Sequence, residues 1–217
     1  MRLEVITNNW QLIASGLVLT LEIAVVALAI GTVLGVLVAV ARTSAPAPIA
    51  ALAAGYVEVM RNTPVLVQLL LIFLGLAEFR LRIPAVPAVM IALGINNGAY
   101  ISEIIRGGLQ SVPKGQLEAA AALGLAPRTT FSDVVLPQAL RAVYPALGNQ
   151  FIQTVLASSI GSVIGAAELT QQINFIDSRT FRTVELLIFL TVTYAALTLI
   201  LSILVRAFGW RLERAYR

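Results

Sequence analysis

Residues 118–137 of this chain read EAAAALGLAPRTTFSDVVLP, a polar, alanine-rich stretch that lies between long apolar runs. Pro113 suits the first turn of a helix, the four alanines favour helix, and Gly124 followed by Pro127 ends it. Because the flanking runs are apolar enough for a bilayer, the stretch predicts a short helix on the membrane surface. This helix belongs to a polar loop of about residues 111–137, and its position suits the docking of another protein.

The composition is that of a membrane protein. Hydrophobic residues make up 59% of the chain, charged residues 12%, and the mean hydropathy is +0.89, whereas a soluble domain carries about 25% charged residues. One bilayer crossing needs about 20 apolar residues, so a chain of 217 residues holds roughly four to six spans. We therefore expect one transmembrane domain over residues 1–217 and no second domain.

The residue types that are missing exclude several function classes. The chain has no cysteine and no histidine, which excludes disulfides and thiolate metal sites and removes the commonest metal ligand and general base. We expect no metal site and no catalytic residue. The net charge of +4 does not indicate nucleic-acid binding, because the arginines cluster at the ends of apolar runs, where membrane topology explains them.

The apolar runs predict an all-α fold with five transmembrane helices. The expected spans are residues Leu12–Ala41, Tyr56–Leu76, Val86–Leu109, Arg141–Ile164 and Val184–Phe208. Thr130 followed three residues later by Asp133 predicts an N-cap for the helix that leads into the fourth span. The three middle spans carry internal Asn, Gln, Gly or Pro, so these faces must pack on protein or line a cavity.

Lysine and arginine are divided unequally between the two sides that five spans define. One side collects ten of them and the other side collects five: Arg42, Arg61, Arg106, Lys114, Arg128, Arg141, Arg206, Arg211, Arg214 and Arg217 against Arg2, Arg80, Arg82, Arg179 and Arg182. Cytoplasmic loops carry the excess of positive charge. This predicts an external N-terminus, a cytoplasmic C-terminus and a cytoplasmic 111–137 loop.

Three motifs resemble those of the membrane permease subunits of bacterial ABC importers, in the branch that carries polar amino acids. The family's cytoplasmic signature is matched in register by Glu118-Ala119-Ala120, Gly124, Val134 and Leu136-Pro137, with valine for isoleucine at position 134 as the only departure. The other two motifs are Arg61-Asn62-Thr63-Pro64 with Leu66, Val67, Gln68 and Leu69 behind it, and Gly98-Ala99-Tyr100 through Glu103, Arg106 and Gly107. The resemblance covers nearly the whole chain.

The resemblance implies a MetI-like type I fold and an inner-membrane permease that moves a polar amino acid inward. It further implies a dimer with an identical or related permease, cytoplasmic ABC ATPase subunits, and an extracytoplasmic amino-acid-binding protein. This chain lacks the Gly-x-x-x-x-Gly-Lys-Ser/Thr phosphate loop, so we expect no cofactor on it, with ATP and magnesium on the ATPase. The alternative is an autonomous secondary transporter or channel for small polar solutes, which the lack of a visible internal repeat disfavours.

In the mechanism that the resemblance implies, the 118–124 helix is a coupling helix that docks into a groove of the ATPase. Glu118, Ala119, Ala120 and Gly124 are the expected docking residues. A side chain at position 124 would obstruct either close contact or the turn after the helix. The alternative for Glu118 is a solvated acid that complements the dipole at the start of the helix.

Polar residues inside the spans are the candidates for contact with substrate. Glu22 lies within the first apolar run, where a carboxylate is costly unless it is paired or hydrated, and Asn97 lies near the middle of the third span. Gln150 and Gln153 share a helical face with Thr154 on the fourth span. The alternative for all four candidates, Glu22, Asn97, Gln150 and Gln153, is hydrogen bonding between helices.

Other features predict structural roles. The pairs Gly31/Gly35, Gly94/Gly98 and Gly161/Gly165, each four apart, favour close helix packing. Pro64 predicts a bend next to Arg61, and Glu103 and Arg106 at spacing three predict an ion pair. Residues 168–182 are expected to form an external loop, either a docking site for a binding protein or simply a solvated loop.

Overall fold

The computed structural model describes residues 4–215, with side chains for residues 4–209, and this part of the chain is helical without a β-strand. The α-helices are α1 (Glu4–Asn8), α2 (Trp10–Ser44), α3 (Ala47–Asn62), α4 (Val65–Leu70), α5 (Leu76–Glu78), α6 (Ala85–Gln110), α7 (Lys114–Ala122), α8 (Pro127–Thr129), α9 (Leu136–Ala157), α10 (Leu169–Thr180) and α11 (Thr183–Ala215). The π-helical turns Leu71–Gly75 and Thr130–Val135 and the 3₁₀ segment Ser158–Ile164 continue them.

The predicted all-α fold with five transmembrane helices is confirmed, although two of the spans are bent. Trp10–Ser44, Ala85–Gln110 and Thr183–Gly209 are long and apolar enough to cross a bilayer as single helices. Two helix pairs meet the same criterion when each pair is taken together as one bent span: Ala47–Asn62 with Val65–Glu78 at 108°, and Pro127–Ile164 with Leu169–Thr180 at 46°. Residues 23–41 carry no charge, and at about 1.5 Å per residue this run matches the thickness of a bilayer core.

Three local predictions are wrong. The second span is not one continuous helix over Tyr56–Leu76, because the chain breaks between α3 and α4 at Thr63 and Pro64, although the bend predicted at Pro64 is confirmed. Thr130 does not cap a helix: its φ of −56° and ψ of −44° are helical, and the helix that leads into the fourth span already begins at Pro127. Residues 168–182 do not form a loop, since most of them belong to α10.

Helices α2 and α6 run parallel and form the most extensive helix contact of the described chain. A methyl group added at Gly31 would overlap Asn97 Cβ, and one at Gly35 would lie 2.7 Å from a side-chain carbon of Ile101. Both contacts join residues 66 positions apart in sequence, which fixes the parallel register. The first predicted glycine pair therefore allows the close packing that was expected of it.

The other two predicted glycine pairs differ in their roles. Gly94 lies against Ile30 and Gly98 against Leu34, so this pair closes the same α2–α6 interface from the other side. A Cβ added at Gly161 would lie 3.0 Å from Val89 on α6, whereas one added at Gly165 would meet nothing within 4 Å. Gly165 instead has a φ of +77° at the end of the 3₁₀ segment. The third pair therefore serves packing at one residue and a turn at the other.

The remaining spans run antiparallel to their neighbours. Gly108 near the end of α6 packs against Val143 of α9, and Gly148 of α9 packs against Val205 of α11. Helix α4 and the π-helical turn after it return the chain along α6, where Leu69 is buried in a cluster with Val89 and Leu93. Consequently the start of α2 and the end of α11 lie at opposite ends of the bundle, as an odd number of spans requires.

Candidate functional site: a surface helix and two intramembrane polar clusters

The predicted surface helix is α7, and its end has the geometry of a Schellman motif. The Gly124 amide donates to the Ala121 carbonyl at 3.0 Å, and the Leu125 amide donates to the Ala120 carbonyl at 3.1 Å. Gly124 has a φ of +70°, which side chains rarely adopt, and a Cβ placed there would contact nothing within 4 Å. Glycine is therefore required at this position by the turn and not by crowding within the chain.

One face of α7 is open, and the opposite face is anchored. Glu118, Ala119 and Gly124 are exposed, whereas Ala120 is 3% exposed. The helix contacts the following segment Thr130–Val135, which continues into α9. Of the four predicted docking residues, Ala120 thus holds the helix to its own chain, and the other three face outward.

The first intramembrane cluster joins α6 to α9 at mid-membrane depth. Asn97 is 3% exposed, and its Oδ1 accepts hydrogen bonds from Gln150 Nε2 at 2.8 Å and from Thr154 Oγ1 at 3.1 Å. Asn97 Nδ2 is buried and has no partner. Two of the predicted substrate residues therefore meet in one hydrogen-bonded cluster, and a donor of that cluster is left unused.

The other two predicted substrate residues do not join this cluster. Gln153 is exposed, one position before the buried Thr154, so α9 turns it away from α6. Glu22 is also exposed, on the face of α2 that carries Val18 and Val25, and it directly precedes the uncharged run 23–41. Glu22 therefore lies at the boundary of the apolar core, at the end of the bundle opposite α7.

The second intramembrane cluster is built around the break between α3 and α4, and sequence reasoning missed it. Gln68 Nε2 lies within hydrogen-bond distance of the Met60 and Thr63 carbonyls, at 3.0 and 3.2 Å, and of Thr63 Oγ1 at 2.8 Å. Asn96 Nδ2 donates to Gln68 Oε1 at 3.1 Å and to the Met60 carbonyl at 3.2 Å. These amides satisfy the carbonyls that Pro64 leaves without helical partners, as a break inside a membrane requires.

A charged cluster ties α2, α3 and α6 together at the end of the bundle that carries α7. The predicted pair of Glu103 and Arg106 is confirmed, with Arg106 Nη2 donating to Glu103 Oε2 at 2.6 Å. Arg42 also donates to Glu103, and Arg61 lies 4.0 Å from it and 5.5 Å from the Tyr100 ring centroid. The spacing of three residues predicts the pair within α6. The contacts of Glu103 with Arg42 and Arg61 could not be predicted from the sequence, because these arginines belong to other helices.

At the opposite end, Glu168 is fully buried and caps α10. Its Oε1 accepts from the Gln171 amide at 2.8 Å, and its Oε2 accepts from the Thr170 amide at 2.9 Å and from the Tyr194 hydroxyl at 3.1 Å. The Leu169 amide donates to Thr20 Oγ1 of α2 at 3.1 Å. The apolar residues of α10 at helical spacing were a signal for this helix, and the mixed charge of the segment obscured it.

Several of the arginines predicted for the cytoplasmic side lie at one end of the bundle. Arg42 and Arg106 lie at the end of the bundle that carries α7, as do Arg141 near the start of α9 and Arg206 near the end of α11. Arg2 and Arg217 lie outside the described residues, and the side chains of Arg211 and Arg214 are not among those described. Which side of the membrane this end faces stays a prediction.

The family model for the inner membrane component of binding-protein-dependent transport systems matches residues 31–214, which include the glycine interface, α7 and both polar clusters. The chain belongs to this family. It is a permease subunit, a membrane component without enzymatic activity, and members of the family work with an ATPase and a binding protein.

Curated relatives of this permease match along almost its entire length. It is 38% identical over 216 residues to a probable glutamine ABC transporter permease of Bacillus subtilis, covering 100% of both chains. It is 42% identical over 205 residues to a glutamine transport system permease of Escherichia coli, covering 94% of this chain and 92% of the relative. An arginine transport system permease of Bacillus subtilis is 35% identical over 202 residues, covering 93% and 92%.

Solved structures match the fold of the permease. One described as an amino acid ABC transporter with histidines has a TM-score of 0.93 at 42% identity and covers 97% of this chain and 99% of that one. The inward-facing MetNI methionine ABC transporter has a TM-score of 0.72 at 25% identity, covering 95% and 97%. The predicted MetI-type permease fold is confirmed.

Proposed function

We propose that this permease carries a polar amino acid inward across a bacterial inner membrane, driven by a separate ATPase that holds ATP and magnesium. The observation that carries the proposal is the chain-long similarity to permeases named for glutamine and arginine transport. The buried amide cluster at mid-membrane depth supports it, since polar side chains there are costly and mark substrate pathways. No described feature favours an autonomous transporter or channel.

The exposed face of α7 is the proposed ATPase-docking surface. Glu118, Ala119 and Gly124 point away from the bundle, and the Schellman turn holds them in a fixed relation to α9. Because Ala120 is buried against the permease, a push on α7 is passed to the Thr130–Val135 segment and on to α9. In this proposal the end of the bundle that carries α7 is cytoplasmic and the N-terminus is external.

The substrate pathway is proposed to lie between two permease subunits. Gln153 is exposed on a single chain within the fourth span, where an amide in contact with lipid tails is unfavourable, and Glu22 is exposed at the boundary of the apolar core. A second permease, identical or related, would cover these residues or enclose them in a hydrated path. Gln150 Nε2 already donates a hydrogen bond to Asn97 Oδ1, so we propose that these two residues contact substrate only when this hydrogen bond breaks.

Glu22 is proposed to attract the ammonium group or a cationic side chain of the substrate at the external mouth of this path. Glu22→Gln should raise the amino-acid concentration needed for half-maximal transport and leave assembly with the ATPase unchanged. Glu4→Gln, which removes a carboxylate from the short helix α1, is the matched control. An unchanged transport affinity in Glu22→Gln would assign this carboxylate a structural role.

The decisive experiment measures ATP hydrolysis and uptake by the permease, reconstituted in lipid vesicles with a candidate ATPase, a binding protein and a panel of polar amino acids. We expect one loaded binding protein to stimulate hydrolysis and drive uptake. An ATPase variant without its phosphate-loop lysine should abolish both. Amino-acid flux in vesicles that contain the permease alone would overturn the proposal in favour of an autonomous transporter.

A further inference from the structure

Two turns at the end of the bundle away from α7 hold a side chain in the left-handed backbone region that glycine usually fills. The first turn, residues 79–82, follows α5 and contains Arg80 with a φ of +64°, and the second, residues 181–182, follows α10 and contains Phe181 with a φ of +54°. The Arg80 amide donates to the Ala77 carbonyl at 2.9 Å, and the Phe181 amide donates to the Asp177 carbonyl at 2.8 Å. Both residues therefore close the end of a helix, as Gly124 does after α7.

Glycine would close both turns at a lower cost. Gly124 and Gly165 adopt nearly the same conformation, with φ values of +70° and +77°, whereas a side chain in this region is disfavoured by about 5- to 30-fold. Among the described residues, Arg80 and Phe181 are the ones other than glycine that have a positive φ. Residues held in such conformations cluster at binding sites, so these two side chains indicate a function beyond closing the helices.

The side chains at the two turns are available to a partner. Phe181 is 88% exposed and Phe79 is 79% exposed, the two highest values among the large apolar side chains described. Within the described chain, the side chains of Arg80 and Arg82 form no ion pair, and Glu78 at the end of α5 pairs with neither. The first turn thus presents an aromatic ring beside two positive charges and the second a further aromatic ring, and Phe and Arg are enriched in protein interfaces.

We infer that the two turns anchor the extracytoplasmic binding protein, with Phe79 and Phe181 packed against apolar parts of its surface and Arg80 beside an acidic residue. Members of this family work with a binding protein. A protein that delivers substrate must dock in one orientation, and a side chain held by a closed turn specifies orientation better than one on a flexible loop. The inference rests on the proposed function, because it takes the end away from α7 as external.

Two other occupants fit the turns less well. Contact with lipid is not directional, so it gives no reason to hold Arg80 and Phe181 in a costly backbone conformation, and the aromatic residues typical of a membrane interface are Trp and Tyr. A second permease is proposed above to cover Gln153 on the side of α9, whereas the two turns lie at the ends of helices. A soluble partner that approaches this end of the bundle therefore fits best.

The test measures the affinity of the permease–ATPase complex in lipid nanodiscs for the loaded binding protein that stimulates the wild type, by surface plasmon resonance. Arg80→Gly and Phe181→Gly should each weaken binding by about tenfold and yet raise the unfolding temperature, because glycine relieves the strained turn. Phe79→Ala should weaken binding without raising the unfolding temperature. Arg80→Gly should also make the affinity less dependent on salt, since it removes a charge from the interface.

The matched control is Leu52→Ala, which removes an exposed apolar side chain from α3 and should keep the wild-type affinity. Wild-type affinity in both glycine variants would overturn the inference and favour lipid as the occupant. A disulfide between two copies of Phe181→Cys in this cysteine-free chain would overturn it in favour of a second permease. If no loaded binding protein stimulates hydrolysis by the wild type, the proposed function itself fails and the inference falls with it, whereas failure of the inference alone leaves that stimulation intact.

Discussion

Replacing Gly124 tests whether the turn after α7 or a contact with the ATPase makes glycine necessary there. The φ of +70° costs an L side chain about 1–2 kcal/mol, which is about a 5- to 30-fold shift toward the opened turn. Asn tolerates this conformation better than Ala, so Gly124→Asn should cost less than Gly124→Ala although its side chain is larger. Gly124→Asp should likewise insert into the membrane but couple poorly to the ATPase.

Two assays separate these effects. Hydrogen exchange of the Leu123, Gly124 and Leu125 amides, which close the turn, reports its opening directly, and binding-protein-stimulated ATP hydrolysis reports coupling. Gly115→Ala is the matched control, because it lies in the same helix without a positive φ or a nearby contact. If Gly124→Asn impairs coupling more than Gly124→Ala while exchange stays slow, then contact with the ATPase decides the position and our backbone argument is refuted.

Three further predictions concern the bundle. Gly31→Ala should push α2 away from α6 and lower the free energy of unfolding by about 1–3 kcal/mol, as overpacking does. Gly55→Ala, which has open space around it, should leave the free energy of unfolding unchanged. Thermal unfolding in detergent measures both variants. Asn97→Leu should lower the free energy of unfolding by about 1 kcal/mol, because it leaves the hydrogen-bond partners of Asn97 unpaired. Gln153→Leu, at an exposed position, should keep its stability but lose transport. Equal losses of stability in the two variants would indicate that both residues serve packing. Glu103→Gln should destabilise the protein by up to about 1 kcal/mol, because the three arginines around this position then repel one another without a carboxylate between them. The destabilisation should be larger at low salt, where repulsion between charges is screened less. An effect that does not depend on salt would contradict this prediction.

Features with a local physical cause could be predicted from the sequence. The uncharged run 23–41 has the length of a bilayer core, and four alanines followed by Gly124 determine where α7 ends. Gly31 and Gly35 lie on one helical face at a spacing that permits close approach. Glu103 and Arg106 meet because three residues make almost one helical turn.

Features that depend on which faces meet could not be predicted from the sequence. Asn97 and Gln150 were each recognised as polar, but nothing local indicates that α6 and α9 turn these two toward each other and leave Gln153 outside. Gln68 reaches back to the break at Thr63 only because that break exists. The sequence predicts an external loop around Glu168 and does not reveal its burial, because that burial depends on Tyr194, a residue in another helix.

The parallel course of α2 and α6 has a consequence for how the chain is made. Antiparallel neighbours can close as a hairpin while the ribosome is still adding residues, but Gly31 must wait for Asn97, which is synthesised 66 residues later. In the meantime the glycine face of α2 stays uncovered, and α3, α4 and α5 must first bring the chain back across the bilayer. A nascent chain that stopped before residue 85 would therefore expose the glycine face of α2 without α6, the helix against which this face packs.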